Sequence, residues 1–475
     1  MIEDLKPYPE TKDSGLAWLG EIPAHWDIKR NGSLFQQRNA VGEPNWPILE
    51  VSLRTGVRIR EFGSSKRKQV MSDKAKYKFA AKGDYVYNMM RMWQGAAGIA
   101  PVDGLVSPAY VVAKPLPHVN PGYFASLFRT DDYLAEIDSF SRGIVKDRNR
   151  LYWDQFKQIP TPCPPTEEQD AIVRFLAWAI NRLDRAIRAK RRIIALLNEQ
   201  KQSIIHRAVT RGLDPSVPLK DSGIPWLGEI PEHWDIAGLG RLCIKRCDGP
   251  FGSGLKSSHY TETGVRVIRL QNIGIGEFKG GDCAYIAPEH YASLGDHDVV
   301  AGDLLVAGLG DEKVPAGRAC LAPPNCEPAM VKADCFRFRM KKDHNLPQFV
   351  AIQLSATALT ATACLSTGAT RLRINLSASS ARSVALPPGH EQQAILSYME
   401  HETSPLSSAI SRLEHEITLL SEYRTRLISD VVTGKLDVRQ VAAGLPEAIE
   451  PLHAGDTGVN IEEFEPDEEE ILELP

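Results

Sequence analysis

The sequence predicts a mixed α/β protein in which two globular domains are separated by two long helices that form an intramolecular antiparallel coiled coil. Three patterns favour this fold: part of the chain occurs twice, apolar heptads follow each copy of a second repeat, and strand-like runs with Gly-Asp turns lie between them. At 475 residues, 43% of them hydrophobic, the chain is long enough for more than one core.

Two pairs of repeats divide the chain. Residues 12–28 read KDSGLAWLGEIPAHWDI and residues 220–236 read KDSGIPWLGEIPEHWDI, with 14 of 17 positions identical. With an offset of 223, PPTEEQDAI and AVTRGLD at 164–172 and 208–214 return as PPGHEQQAI and VVTGKLD at 387–395 and 431–437. The predicted segments are a first domain (1–165), a helix (166–211), a second domain (212–385), a second helix (386–438) and an acidic tail (439–475).

Each long helix shows one narrow apolar stripe. Thr166 is a predicted cap of the first helix. The steps of three and four over several heptads are typical of a coiled coil, whereas an amphipathic helix on a globular core usually has a wider, shorter stripe. Pro405 either kinks the second helix or marks its true start. The predicted seam comprises Leu176, Ile180, Leu183, Ile187, Ile194, Leu197 and Ile204 in the first helix, and Met399, Leu406, Ile410, Leu413, Ile417, Leu420 and Leu427 in the second.

Charge favours pairing between the two helices. Arg174–Arg211 contains ten basic and two acidic residues, whereas Ser397–Lys435 contains four basic and six acidic residues. An antiparallel pair is more economical than a parallel one, because a parallel pair requires the second domain to span a helix of roughly 60 Å.

Both domains are predicted to mix strands and helices. The helix predicted at Pro347–Ala356 resembles Pro121–Phe128, and the turn Gly83-Asp84 resembles Gly302-Asp303. The predicted strands are Trp46–Leu53, Asp84–Tyr87 and Ala109–Ala113 in the first domain, and Val265–Leu270, Asp303–Ala307 and Phe336–Met340 in the second.

The net charge of −4 conceals a basic body. Residues 441–475 contain eleven acidic and no basic residues, so removing them leaves +7 for residues 1–440. The tail composition is typical of disorder. A basic body suggests a polyanionic partner, most often nucleic acid, although a solvated charged face explains the same charge.

Loop residues with bidentate donors and acceptors are the candidates for contact with double-stranded DNA. Surface or structural roles remain the alternative for each, and phosphate contacts should outnumber base contacts. The candidates are Arg54, Lys66, Arg67, Lys68, Arg91, Gln94, Lys146, Arg148 and Arg150 in the first domain, and Lys256, Ser257, Arg269, Gln271, Asn272, Arg371 and Arg373 in the second.

The sequence contains no recognised catalytic or nucleotide-binding motif. It has no phosphate-binding loop, and neither H-E-x-x-H nor C-x-x-C occurs. Cys243, Cys247 and His259 form only a weak metal candidate, and His25 and His233 are expected to pack rather than catalyse. The eight cysteines predict reduced thiols in a cytoplasmic protein, with no signal peptide or membrane span expected.

The repeated motifs resemble the specificity (S, HsdS) subunits of type I restriction-modification systems. The resemblance rests on both KDSG-x-x-WLGEIP-x-HWDI segments, on the Pro-Pro-x-x-Glu-Gln start of each helix and on Thr-Gly-Lys-Leu-Asp at 433–437. The segments Arg150-Leu151-Tyr152 and Asn375-Leu376 also match the family. The match covers about residues 8–438, and Thr-Arg-Gly-Leu-Asp at 210–214 departs slightly from it.

The resemblance implies a function for each segment. Each domain would be a target recognition domain that reads one half of a split, asymmetric DNA site, and the helices would set the unread spacer. The chain would carry no catalytic residue and no cofactor. Two modification (M) subunits would bind S-adenosylmethionine and methylate adenine, and restriction (R) subunits would use ATP and Mg for translocation and cleavage.

Two alternatives remain at the level of sequence. The chain could be a coiled-coil adaptor whose domains bind proteins rather than DNA, or a fragment of an enzyme such as a fused methyltransferase. DNA affinity measured against salt tests the first alternative, and methyl transfer by the isolated chain tests the second.

Overall fold

The computed structural model describes residues 5–43, 45–53, 55–60, 76–143, 149–311, 313–341, 346–365 and 372–446. The chain forms two compact units. The first comprises residues 1–190 and 415–475, and the second comprises residues 191–414. The division falls inside both long helices, so each unit contains one globular module and one section of each helix.

Short strands and helices alternate in both units, as the mixed α/β prediction requires. The strands are β1 (Thr11–Asp13), β2 (Glu21–Pro23), β3 (Asp27–Arg30), β4 (Phe35–Gln37), β5 (Leu49–Ser52), β6 (Gly56–Ile59), β7 (Lys78–Ala80), β8 (Tyr85–Asn88), β9 (Ala97–Ile99), β10 (Gly104–Val106), β11 (Tyr110–Pro115), β12 (Pro160–Cys163), β13 (Leu219–Asp221), β14 (Glu229–Pro231), β15 (Asp235–Gly238), β16 (Cys243–Cys247), β17 (Tyr260–Thr261), β18 (Val265–Ile268), β19 (Tyr285–Ile286), β20 (Asp298–Val299), β21 (Leu304–Ala307), β22 (Leu309–Gly310), β23 (Ala319–Leu321), β24 (Ala329–Val331), β25 (Cys335–Met340), β26 (Leu372–Arg373) and β27 (Ser383–Leu386). The α-helices are α1 (Pro121–Leu127), α2 (Asp131–Phe140), α3 (Trp153–Phe156), α4 (Thr166–Arg211), α5 (Pro288–Ser293), α6 (Pro347–Ala356), α7 (Ala358–Leu365), α8 (Leu376–Ala381), α9 (Gly389–Val432) and α10 (Arg439–Ala443).

The two modules contain the same four-stranded antiparallel sheet. Its strand order is β4-β11-β8-β9 in the first unit and β16-β25-β21-β23 in the second. A buried aspartate precedes the third strand of each order: Asp84 pairs with Arg38 at 2.6 Å, and Asp303 pairs with Arg339 at 2.8 Å. The predicted Gly-Asp turns are therefore present in both modules. Asp303 fixes its turn to the adjacent strand β25, whereas Asp84 binds the residue directly after β4.

Each module begins and ends on adjacent antiparallel strands. β3 pairs with β12 in the first unit, and β15 pairs with β27 in the second. A two-stranded hairpin from the first repeat precedes each pair, formed by β1 with β2 and by β13 with β14. The chain therefore enters and leaves each module through neighbouring backbone positions.

The Pro-Pro-x-x-Glu-Gln motif joins each hairpin and module to a long helix. Glu168 Oε2 lies 2.7 Å from His25 Nε2, and Glu391 Oε2 lies 2.8 Å from His233 Nε2. Both histidines therefore hold a helix start, which agrees with the packing role expected from the sequence.

The adjacent glutamine satisfies backbone groups in both units. Gln169 Oε1 accepts a hydrogen bond from Asn120 N, and Gln392 Oε1 accepts one from Leu346 N, both at 2.8 Å. These two donors lie at the starts of α1 and α6. Because both glutamines are buried, their amides supply partners that water cannot reach.

The helix α4 pairs with α9 in each unit, and the pairing is antiparallel. In the first unit Asp184 binds Arg424 at 2.9 Å, and Lys190, further along α4, binds Glu416, which lies earlier in α9. The predicted seam residues are buried or half-buried: Leu176, Leu183, Ile187, Met399 and Leu427 are buried, whereas Ile180, Ile194, Leu197, Ile204, Leu406, Ile410, Leu413, Ile417 and Leu420 are half-buried. The mixed α/β fold with two domains and a coiled coil is thus confirmed.

Three details differ from the predictions or decide between them. The predicted tail begins at residue 439, yet Arg439–Ala443 form α10, and Ala442 and Leu445 are buried in the core of the first unit. Apolar burial therefore moves the start of the tail, and residues 447–475 lie outside the described part.

The helix α9 begins at Gly389 and continues through Pro405, so this proline is not its start. Thr166 is the first residue of α4, and its hydroxyl donates to His118 O at 3.2 Å instead of capping the helix.

Candidate nucleic-acid interface

A loop beside the central sheet is held in the same way in both modules. Leu151 N donates to Met89 O at 2.9 Å, and Ile374 N donates to Gly308 O at the same distance. Each acceptor directly follows a central strand, β8 or β21, and Leu151 and Ile374 are both buried. This contact brings the loop after the central strand next to the segment that carries the predicted arginines.

Three candidates of the first module, Arg150, Arg91 and Gln94, lie at this contact or beside it. Arg150 is exposed, and its backbone forms a two-way bridge with Arg142, which is also exposed. On the neighbouring loop, Arg91 is half-buried and Gln94 is exposed in the short 3₁₀ turn Met92–Gln94. These guanidinium and amide groups therefore lie on two chain segments that the Leu151–Met89 hydrogen bond joins.

The second module presents Arg373 at the matching position. Its guanidinium binds Asp334 Oδ1 through Nη2 at 2.8 Å and Nε at 3.1 Å, and its side chain is half exposed. The strand containing it, β26, pairs with β22, so Arg373 lies opposite Leu309. Both its backbone and its side chain are thus held in place.

A second group of candidates in this module surrounds residues 269–282. Arg269 binds Asp282 through both Nε and Nη2, and Gln271 is exposed. Asn272 is completely buried: its amide donates to Lys279 O and Asp282 O, and its Oδ1 accepts from Arg269 N. The predicted base contact of Asn272 is therefore wrong, because its polar groups are used in holding the loop.

The glycine-rich loop at 249–258 is anchored at its start and at its middle. Asp248 Oδ1 accepts from Gly249 N and Asp334 N, and His290 Nε2 lies 3.0 Å from Gly254 O. Burial raises the pKa of Asp248 to about 6, an effect opposed by these backbone hydrogen bonds and strengthened by the charge of Asp334. The predicted residues Lys256 and Ser257 are exposed on this anchored loop.

Buried arginines position the loops rather than form a charged surface. Arg318 donates to the carbonyls of Leu270, Ile273, Leu309 and Pro315, and thereby joins two loops of the second module. Arg382 is fully buried, which lowers its pKa to about 9, and it donates to backbone oxygens of Gly317 and Leu354. Neither side chain is available to a ligand.

Seven predicted contact residues lie outside the described residues: Arg54, Lys66, Arg67, Lys68, Lys146, Arg148 and Arg371. The match between Arg150 and Arg373 was not recognised from the sequence. The sequence could have shown this match. When the alignment at an offset of 223 is extended upstream from the double prolines without a gap, Arg150 and Arg373 fall at the same position.

The weak metal candidate has other contacts. Cys243 Sγ lies 3.2 Å from Leu239 O, and His259 Nδ1 accepts from Lys256 N while its ring lies 4.0 Å from that of His290. Among the described residues, no group of three or more His, Cys, Asp or Glu side chains is placed to hold a metal ion. All eight cysteines are free thiols.

In the described ranges, no single helix is both long and apolar enough to span a membrane. By length and composition, α6 and α7 would suffice only as a pair, with a bend of 68° between them.

Two curated proteins of Methanocaldococcus jannaschii match this chain in sequence. The type I restriction enzyme MjaVIII specificity subunit is 28% identical over 173 residues, which are 36% of this chain and 38% of that protein. The putative type I restriction enzyme MjaX specificity subunit is 25% identical over 322 residues, or 64% of this chain and 72% of that protein. The chain thus matches well under half of the first relative and about seven-tenths of the second. No protein-family model matches the chain.

A solved structure shows the same fold. It was determined to explain complex assembly and conformational transition of the type I R-M system, and it superimposes with a TM-score of 0.63 over 87% of this chain and 99% of the other, at 15% identity. At that identity the match concerns the fold alone. The chain is therefore similar in sequence to two specificity subunits of type I restriction enzymes, and it shares its fold with a chain of a type I R-M system.

Proposed function

We propose that this chain determines the DNA sequence recognised by a type I restriction-modification complex, and that each module reads one half of a bipartite, asymmetric site. The observation that supports this most strongly is the combination of an identical frame with different loops. Both units repeat the sheet order, the paired entry strands and the Leu151 or Ile374 contact, whereas the loops beside that contact differ. A duplicated frame with different loops suits two different half-sites.

Exposed arginine and glutamine side chains supply the chemistry of recognition. Guanidinium and amide groups bind base edges in two-point hydrogen bonds, and arginine also binds phosphate. Gln94 and Arg150 provide such groups in the first module, with the half-buried Arg91 on the same loop as Gln94, and Gln271 and Arg373 provide them in the second. Binding of this kind should weaken strongly as salt increases, because phosphate neutralisation releases counterions.

Two grooves are the proposed docking sites of two M subunits. One lies in the first unit with a volume of about 1380 Å³, and the other lies in the second with about 1280 Å³. Their walls correspond by the same offset of 223, because Val173, Leu176 and Ile180 in the first groove match Leu396, Met399 and Thr403 in the second. Two matching grooves suit two copies of one partner.

Catalysis is assigned to the partners in this proposal. The M subunits would bind S-adenosylmethionine and methylate adenine, while R subunits would add ATP- and Mg-dependent translocation and cleavage. The complex would act on DNA in the cytoplasm, and this chain would contribute no reacting group.

Exchange of one module tests the recognition proposal. Residues 237–385 begin and end on the paired strands β15 and β27, so another family member's segment can replace them at adjacent backbone positions. In a host that carries the M subunit, sequencing of methylated sites should show one altered half-site and one unchanged half-site. Retention of both original half-sites would contradict modular recognition.

Native mass spectrometry tests the docking proposal. Ala177→Arg in the first groove and Leu359→Arg in the second replace exposed apolar side chains, so the fold should tolerate both. Each single variant should bind one M subunit and the double variant none. Two bound M subunits on the double variant would show that the grooves are not the docking sites.

A further inference from the structure

Arg150 and Arg373 share a position that the two modules hold rigidly. Each is exposed and directly precedes the buried residue, Leu151 or Ile374, whose N–H binds the loop after the central strand at 2.9 Å. The backbone of each arginine is also bridged on its other side, to Arg142 in the first module and to Leu309 in the second. Both guanidinium groups therefore start from a fixed backbone.

The surroundings of this shared position differ between the modules. In the first module the adjacent loop contains the 3₁₀ turn Met92–Gln94, with Gln94 exposed. In the second module the adjacent segment is the strand β22, which is followed by Asp311. Arg373 forms an ion pair with Asp334, the residue directly before β25. In the first module the residue directly before the corresponding strand, β11, is Ala109, which cannot form such a pair.

A residue type kept at one position in both modules should face a feature that both half-sites share. Base edges differ between two half-sites, whereas the phosphate backbone is the same in every duplex. We propose that Arg150 and Arg373 bind DNA phosphates independently of sequence, and that base discrimination belongs to the differing loops around them. This inference rests on the proposed function, because it assumes that both modules bind DNA.

Affinity measured against salt tests the inference. The complex of the full chain with its M subunits is titrated with two probes: a duplex selected by the wild-type complex from a randomised pool, and poly(dI-dC). Arg150→Gln and Arg373→Gln should each weaken both probes by a similar factor, roughly fivefold, and reduce the slope of log K against log salt by about 0.9. The ratio of the two affinities should stay unchanged.

Matched variants separate a phosphate contact from a structural role. Arg150→Lys and Arg373→Lys keep the charge and should keep most of the salt slope, since lysine also binds phosphate as a point charge. Arg30→Gln removes an exposed arginine of β3, outside this interface, and should change neither the slope nor the affinity.

The outcomes separate this inference from the function on which it rests. Failure of the wild-type complex to bind either probe would overturn the proposed function and this inference together. An unchanged salt slope in the glutamine variants, or a changed base preference in pools selected by them, would overturn the phosphate assignment alone. A parallel loss on both probes with an unchanged ratio supports it.

Discussion

Trp26 Nε1 donates a hydrogen bond to Glu168 Oε1 at 3.0 Å, and this contact fastens the first hairpin to the start of α4. The same arrangement recurs in the second unit, where Trp234 Nε1 donates to Glu391 Oε1 at 3.0 Å. The repeated sequence motifs thus have a structural explanation. In each unit the tryptophan and histidine of the His-Trp-Asp-Ile segment donate to the glutamate of the Pro-Pro-x-x-Glu-Gln motif.

Replacement of Glu168 should cost more stability than replacement of Glu391. Glu168 is 5% exposed and also accepts from Tyr8 at 2.5 Å, whereas the Glu391 side chain is 21% exposed and residue 216, at the position of Tyr8, is serine. Hydrogen bonds to a charged group contribute about 1.5–3 kcal/mol each. Glu168→Gln should therefore lower the unfolding free energy of its unit by about 2–4 kcal/mol, and Glu391→Gln by about half as much.

Hydrogen exchange measured by mass spectrometry separates the two effects. Peptides around residues 20–30 report on the first hairpin, and peptides around 228–238 report on the second. The loss of protection should be larger at the first hairpin in Glu168→Gln than at the second in Glu391→Gln. Equal losses would show that burial and Tyr8 add nothing to the first contact.

Pro405 should destabilise the helix that contains it. A proline in a helix interior lacks the N–H that would bind the carbonyl four residues earlier, and its ring crowds that carbonyl. Pro405 is exposed, so Pro405→Ala should restore the hydrogen bond to His401 O without creating a cavity. We expect a gain of about 1–3 kcal/mol in urea unfolding of the second unit.

A matched substitution controls for the added alanine. Ser408→Ala changes another exposed residue of α9 and should alter stability by less than about 0.5 kcal/mol. If Pro405→Ala has no larger effect than Ser408→Ala, the backbone at this proline is already relaxed.

The pKa of Asp248 predicts a stability difference that depends on pH. The folded pKa of about 6 lies above the ordinary 3.8, so the unfolding free energy falls as pH rises from about 4 to about 6. Asp248→Asn removes the buried charge, and an amide oxygen can still accept from Gly249 N and Asp334 N, which both bind Oδ1. The variant should be more stable than wild type above pH 6 by about 1–2 kcal/mol, which is less than the full pKa shift corresponds to because solvent screens a half-buried charge.

The sign of this difference is checked by thermal unfolding at several pH values. The advantage of Asp248→Asn should be largest near pH 7.5 and should vanish near pH 4, where the wild-type carboxyl is protonated. Asp214→Asn is the control, because Asp214 is exposed and its pKa lies below the usual range through hydrogen bonds from Ser216. A variant at Asp248 that loses stability at pH 7.5 would contradict the burial argument.

Local patterns predicted the frame of this protein better than its surfaces. The start of α4 directly after Pro164-Pro165, the helix at Pro347–Ala356 and the turns at Asp84 and Asp303 follow from prolines and glycine-aspartate pairs within a few residues. The burial of Asn272 could not be read in this way, because its partners Lys279 and Asp282 depend on how a distant part of the loop folds back. Side-chain exposure depends on such tertiary contacts, whereas helices and turns depend largely on local sequence.

The contact between Lys6 and Asp437 predicts that the chain tolerates circular permutation. Asp437 N donates to Lys6 O at 2.8 Å within the first unit, so the segments near both described ends lie side by side. By the offset of 208, Lys6 corresponds to residue 214, and by the offset of 223, Asp437 also corresponds to residue 214. In the second copy one residue, Asp214, therefore stands where the first copy has two residues in contact. The contact therefore corresponds to a covalent link in the other copy.

A permuted chain can use this correspondence. It begins at Pro215, connects residue 446 to residue 5 through a flexible linker of about ten residues, and ends at Asp214. The residues around Asp214 and Pro215 are exposed, so new ends there should disturb little. We expect unfolding free energy within about 1 kcal/mol of wild type and the same DNA site in selection from a randomised pool. As a control, the chain is cut instead between Leu183 and Asp184, inside α4. This cut should abolish folding, because it interrupts a buried seam. Equal tolerance of both cuts would show that the Lys6–Asp437 contact does not mark a site where the chain can be rejoined.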